Sequence, residues 1–211
     1  MPHRSLRVLT CSLVLALALP AAAAQRAVLD YRQENSERPP TVPAQTRATL
    51  ASAIPGHAKD VAVLSRVRGS FSQAGISEDL YLVADKAPVA AQPFAPGSAQ
   101  LLVTIQDGRT SVWKLPAELR YQRIAGTVDA DRDGRGELLL EAAFYNMGQS
   151  VVSVDLVALG ADGAVSIRQS LKDVVTDSCD NPIGKREKQA STIALGNDGK
   201  LVAKPYRQRC G

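Results

Sequence analysis

Between Val128 and Leu138 the chain reads Asp129-Ala130-Asp131-Arg132-Asp133-Gly134-Arg135-Gly136-Glu137, four carboxylates within nine residues. The acids fall at relative positions 1, 3, 5 and 9, with glycine at 6. So many negative charges on one short bend repel one another unless a cation sits among them. Calcium is a hard cation that takes six to eight oxygens at about 2.3–2.6 Å in a tolerant geometry. Asp131 and Asp133, two residues apart, point at a common centre if the backbone curls around it, and Gly134 permits the sharp turn. Arg135 offers its carbonyl, and Glu137 closes the cage. Magnesium, which demands a stricter octahedron and keeps its waters, is served less well. An EF-hand begins in the same way but needs a bidentate acid at position 12. Position 12 is Leu140, inside the apolar run Leu138–Leu140, which reads as a strand. The EF-hand is excluded. The bland alternative is a solvated acidic turn whose charge is offset by Arg132 and Arg135.

Other chemistries find little support. Of the two histidines, at positions 3 and 57, only His57 lies outside the N-terminal segment read below as removed. A two-histidine zinc site is therefore excluded, and any Ser–His or Cys–His machinery must run through His57. That residue follows Pro55-Gly56, in a segment that reads as an exposed loop. Gly148-Gln149-Ser150-Val151 fails the Gly-x-Ser-x-Gly elbow, and no glycine-rich phosphate loop is present. A carboxylate pair for glycoside hydrolysis needs only two acids that converge in space, so a small exported hydrolase stands as the alternative. Its best-clustered acids are those of the metal loop, however, and aromatics at 4% of the chain offer few stacking platforms for sugar. Trp113 reads as core, and Asn146-Met147-Gly148-Gln149 as a turn. No catalytic residue is expected.

The elements that must carry the loop begin after a leader. His3, Arg4 and Arg7 open the chain, Val8 to Leu19 is almost wholly apolar, and Pro20 precedes Ala21-Ala22-Ala23-Ala24. This is the three-part pattern of a secretory signal spanning 1–24, with Gln25 as the first mature residue. The apolar run is well short of the roughly 20 residues that span a bilayer, so no membrane span is expected after cleavage. Cys11 lies too early in the apolar core for lipidation. Removal of Arg4 and Arg7 lowers the formal net charge of +4 by two. The remaining basic residues are scattered among acids, which excludes a nucleic-acid partner. Lys185-Arg186-Glu187-Lys188 reads as a solvated loop. The two later cysteines, Cys179 and Cys210, read as one disulfide that ties the C-terminal segment to the domain. Such a bridge contributes about 3–4 kcal/mol on the loop-entropy model.

Residues 25–56 read as an extended or partly disordered lead-in: 32–38 is polar throughout, and Pro39, Pro40 and Pro43 follow. A short helix over Gln45–Ile54 is expected. From about residue 57 to 211 the pattern is β. Asp107-Gly108, Asp162-Gly163 and Asp198-Gly199 each stand between apolar runs, as in tight hairpins. Val152, Val154 and Leu156 alternate onto one face of a strand. An internal repeat is also legible: Gly69-Ser70-Phe71, a loop and Glu78–Ala84 recur as Gly126-Thr127-Val128, a loop and Glu137–Ala142, with offsets of 57 from Gly69 to Gly126, 58 from Asp79 to Glu137 and 55 from the Asp107 to the Asp162 hairpin. The first loop reads as one residue shorter than the second and lacks its acids. The expected fold is mainly β, with antiparallel sheets from two to three blade-like units, near 60–120, near 121–175 and in the disulfide-tied C-terminal segment.

Residues 126–142, with Gly126-Thr127-Val128, the acidic loop and Glu137-Leu138-Leu139, resemble the calcium loop of FG-GAP (VCBS-type) repeats, the units of integrin α-subunit propellers and of many exported bacterial proteins. Residues 69–84 resemble it weakly, as a copy that has lost its metal. The resemblance implies Asp129, Asp131, Asp133, the Arg135 carbonyl and Glu137 as calcium ligands, with Glu137 standing where the family more often has Asp. It also implies a propeller-blade unit, though two and a half units cannot close a ring. The expected function is a non-enzymatic binding or structural module of the periplasm or exterior, stapled by calcium. Its partner would be an envelope or extracellular protein or glycan.

Overall fold

The structure is a computed structural model that describes residues 27–33, 38–54, 61–86, 99–116 and 118–210. The leader 1–24 with Cys11, the expected first mature residue Gln25, and the Pro55-Gly56-His57 segment lie outside the described residues.

The fold is mainly β and antiparallel, with one helix among the described residues. In chain order the elements are β1 (Ala27–Asp30), α1 (Ala44–Ser52), β2 (Ala62–Gly69), β3 (Glu78–Ala84), β4 (Gln100–Gln106) and β5 (Arg109–Lys114). Then follow β6 (Arg123–Val128), β7 (Glu137–Asn146), β8 (Gln149–Leu159), β9 (Val165–Asp177), β10 (Lys188–Leu195) and β11 (Leu201–Gln208). Strands β2 to β5 form one four-stranded meander, and β6 to β9 form another. The second continues through β10, which pairs with both β1 and β11. Its seven strands curl until the β1 side chain of Leu29 packs beside Gly126 of β6. The sheet is therefore nearly a barrel, and the molecule is not a closed propeller.

Turn chemistry sets these meanders. Asp107 and Gly108 both adopt positive φ, 47° and 77°, the conformation that joins two strands without splaying them. The Asp162-Gly163 and Asp198-Gly199 turns join β8 to β9 and β10 to β11, and 146–149 is the β7–β8 turn, as the sequence implies.

Three cores stack the layers. Leu80, Leu82, Leu102 and Trp113 of the four-stranded sheet meet Leu138, Leu140, Val157 and Leu159 of the larger one. The other face of the small sheet, with Tyr81, Val83, Leu101 and Val103, is covered by Val42, Leu50 and Ile54. Inside the curl, Val128, Leu139, Val154, Leu156, Val174 and Ile193 form the third core. The unbroken run Leu138–Leu140 follows directly, because β7 is covered on both faces and alternation is lost. Val152, Val154 and Leu156 share one face, as their spacing predicts.

Apolar side chains anchor the lead-in on both sides of its polar residues. Val28 and Leu29 lie on a strand of the curled sheet before 32–38, and Val42, Leu50 and Ile54 cover the small sheet after it. The helix spans 44–52, close to the expected 45–54, and begins at Pro43 without a side-chain cap. So short a helix is marginal alone; burial of Leu50 and the Arg47 hydrogen bond to the Val61 carbonyl, at 3.0 Å, hold it in place.

Candidate metal centre

The acidic loop fills the gap between β6 and β7, and its ends are pinned by the Val128–Glu137 strand pair. Arg132 and Gly134 take positive φ, 63° and 84°, which curls the backbone. Each acid then secures the loop through a backbone amide. Asp129 Oδ2 accepts from Gly134 N at 3.2 Å, Asp131 Oδ1 from Asp133 N at 3.2 Å, and Glu137 Oε2 from Ala130 N at 2.7 Å.

Three of the predicted ligands come together. Asp129, Asp131 and Glu137 each present a carboxylate oxygen, and these lie within 4.8 Å of one another. Two oxygens on opposite sides of one ion at about 2.4 Å are separated by about 4.8 Å, so the donor set has the right chemistry and spread for a hard cation. Asp129 and Asp131 are exposed, whereas Glu137 is buried. Burial, reinforced by the charges of Asp131 and Asp129, pushes the Glu137 carboxyl up, although the Ala130 N–H pulls the other way. A positive charge at this point would relieve that strain.

Asp133 is not in the group. Its Oδ2 accepts from Arg135 Nη2 at 2.7 Å and Nε at 2.9 Å, and its Oδ1 from Arg135 N at 2.8 Å. The fork of Arg135 holds the Asp133 carboxyl below the usual carboxylate range. Arg135 itself reaches on to the Leu159 carbonyl. This two-residue chelate is a local option for an Asp-x-Arg sequence, and the spacing of the acids alone does not reveal it.

The loop is also held from outside. Gly136 N donates to Ser70 O at 2.7 Å, and the α-carbon of Gly134 faces Ala74, both in the β2–β3 loop. From the other side Gly199, in the β10–β11 turn, packs so closely on the Ala130 carbonyl that an added Cβ would lie 2.5 Å from it. Beside the carboxylates opens a cavity of about 270 Å³ lined by Asp131, Glu137, Arg168, Gln169, Asp198 and Lys200 among others. Arg168 stands 3.8 Å from Asp131 Oδ2. Sequence spacing gave no hint of Arg168 or of Asp198, which arrive from β9 and a distant hairpin.

The two meanders share this loop position. Gly69 pairs with Glu78 as Val128 pairs with Glu137, so both loops run eight residues, 70–77 and 129–136. The first is therefore not shorter, as aligning the glycines implies; aligning the glutamates finds the true register. Glu78 is buried and accepts from Phe71 N at 2.9 Å, Ser72 N at 2.7 Å and Ser72 Oγ at 2.6 Å. In each loop a buried glutamate thus ties down the incoming backbone, and only the second adds aspartates around it.

Cys179 and Cys210 form a disulfide with Cα atoms 5.4 Å apart. Trp113 is buried and donates to the Gly160 carbonyl at 2.8 Å. Among the described residues no helix is long and apolar enough to cross a membrane. No family model, no curated protein and no solved structure matches the chain.

Proposed function

We propose that the protein is an exported, non-enzymatic binding or structural module of FG-GAP-like character, whose β6–β7 loop is stapled by calcium. The observation that carries this reading is the convergence of Asp129, Asp131 and Glu137 within 4.8 Å on a curled loop. Calcium suits it better than magnesium because it takes several carboxylate and carbonyl oxygens in a tolerant geometry, whereas magnesium demands a near-ideal octahedron and keeps its waters. Asp129, Asp131 and Glu137 would hold the ion, and the Arg135 carbonyl lies at the position that supplies a backbone oxygen in such loops. The ion would supply positive charge where Glu137 is desolvated. The residues around it do the structural part: Gly136 links the loop to the first meander through Ser70, and Ala130 abuts the β10–β11 turn.

Two further observations agree with this reading, the first with a structural role and the second with export. The buried Glu78 and Glu141 are already engaged, Glu78 with loop amides and Glu141 with Tyr31 Oη and Arg123 at 2.7 and 2.8 Å. The disulfide is the bond an oxidising compartment sustains.

The test is calorimetric titration of the chelated protein with calcium, with thermal melts alongside. Calcium at 100 times its Kd should raise stability by about 2.7 kcal/mol, and Asp131→Ala should remove that gain while melting like the parent in chelator. Absence of both heat and a melting shift at millimolar calcium would sink the proposal.

A further inference from the structure

The metal loop stands at one end of β7, and the other end of the strand carries a different surface. Strand registers place Tyr145 opposite Ser150, Ser150 opposite Asp177, Asp177 opposite Lys188, and Lys188 opposite Gln208. That row crosses the sheet from β7 to β11. Beyond it lie the β7–β8 turn, the loop 178–187 and the end of β11. The turn and the loop are in contact, since a Cβ on Gly148 would meet the Asp180 carbonyl.

This end combines two features. Three large apolar side chains are exposed on it: Tyr145 at 44%, Met147 at 63% and Ile183 at 83%. Met147 and Ile183 stand on separate tips, so they do not form a flat apolar face. Around them are five cations, Lys185, Arg186, Lys188, Arg207 and Arg209, against the acids Asp177, Asp180 and Glu187. Lys188 pairs with Asp177 at 3.1 Å and Lys185 with Glu187 at 2.8 Å. Arg186, Arg207 and Arg209, with Glu187 and Lys188, line a cavity of about 430 Å³ beside the disulfide, and Arg186 Nε donates to the Cys179 carbonyl at 2.6 Å, which leaves the rest of its fork for a ligand. The basic run 185–188 and the pair Arg207 and Arg209 are distant in sequence, and β10–β11 pairing with the Cys179–Cys210 bond brings them side by side.

We propose that this end docks on an anionic lipid surface, Met147 and Ile183 entering the acyl boundary while Arg186, Arg207 and Arg209 take lipid phosphates. Isolated apolar tips within a basic surround match the layering of a membrane interface, which is apolar below and phosphate-rich above. Arginine forks suit phosphate oxygens in particular. The surface is independent of the metal loop, so docking should persist in chelator.

The experiment is vesicle co-sedimentation of the disulfide-intact protein in EDTA, comparing phosphatidylcholine alone with a mixture containing phosphatidylglycerol. Binding to the mixed vesicles alone is expected, with release in about 1 M NaCl, where the screening length falls to about 3 Å. Arg207→Ala with Arg209→Ala should weaken binding more than tenfold, at about fivefold per cation. Met147→Glu with Ile183→Glu should abolish it while leaving the melting temperature unchanged. Arg109→Glu with Lys114→Glu, exposed on β5, should leave binding intact. Failure to bind either vesicle overturns the proposal, as does equal loss in the β5 pair or wild-type binding by the apolar pair. Retention only on soluble heparin would point to a polyanionic glycan and overturn it likewise.

Discussion

At the residue scale, the separation of Asp133 from its neighbours makes a sharp prediction. Spacing alone ranks the aspartates of the loop equally, and the resemblance to FG-GAP loops makes all of them ligands. The structure divides them: Asp129 and Asp131 face Glu137, while Asp133 is enclosed by Arg135. Asp133→Ala should therefore keep a calcium-dependent melting shift, with affinity reduced less than tenfold, whereas Asp131→Ala loses it. Equal loss in differential scanning fluorimetry would show that Asp133 leaves Arg135 when the ion enters. The cluster was legible because alternate acids around a glycine have few other uses. The chelate was not, because Asp-x-Arg pairing competes with ligation only once the backbone geometry is known. Nor was the twin role of Glu78 and Glu137, which depends on strand register and not on residue type.

Hairpins were the most readable elements, since an Asp-Gly pair between apolar runs states its own geometry. The lead-in was the least readable, because four residues of β1 and a nine-residue helix draw their stability from tertiary burial and leave only a faint local pattern. The disulfide belongs to this scale too. It closes a 31-residue span that holds β10 and β11, so Cys179→Ser with Cys210→Ser should cost about 3–4 kcal/mol in urea unfolding. A pH effect follows nearby. Burial alone would raise the Asp177 pKa, but the Cys179 N–H at 3.0 Å and Lys188 outweigh it, leaving the carboxyl below its ordinary 3.8. The native state therefore favours the ionised form. Its contribution is complete above the ordinary value and is lost as pH falls through the lowered one. Between pH 5 and 3, in chelator, the urea midpoint should fall less steeply for Asp177→Asn than for the parent.

For the whole molecule, the question is whether two meanders and a curled sheet behave as one unit. The core between the sheets draws Leu80, Leu82 and Leu102 from one side and Leu138, Leu140 and Val157 from the other, all fully buried. Trp113 crosses that boundary, from β5 to the Gly160 carbonyl beyond β8, and Gln100 clamps the Tyr121 backbone in the connection between the sheets through two hydrogen bonds, at 2.7 and 2.9 Å. Neither sheet can lose this interface without exposing a face that has no other cover among the described residues. Unfolding should accordingly be a single transition, with Trp113 fluorescence and far-ultraviolet dichroism giving coincident midpoints. Leu138→Ala, at a residue with no exposed surface, should lower stability by about 2–5 kcal/mol and shift both signals together. If fluorescence moved alone, the four-stranded sheet would be a separate folding unit, and the acidic loop, which touches both meanders, would then be a hinge between them and not a staple within one core.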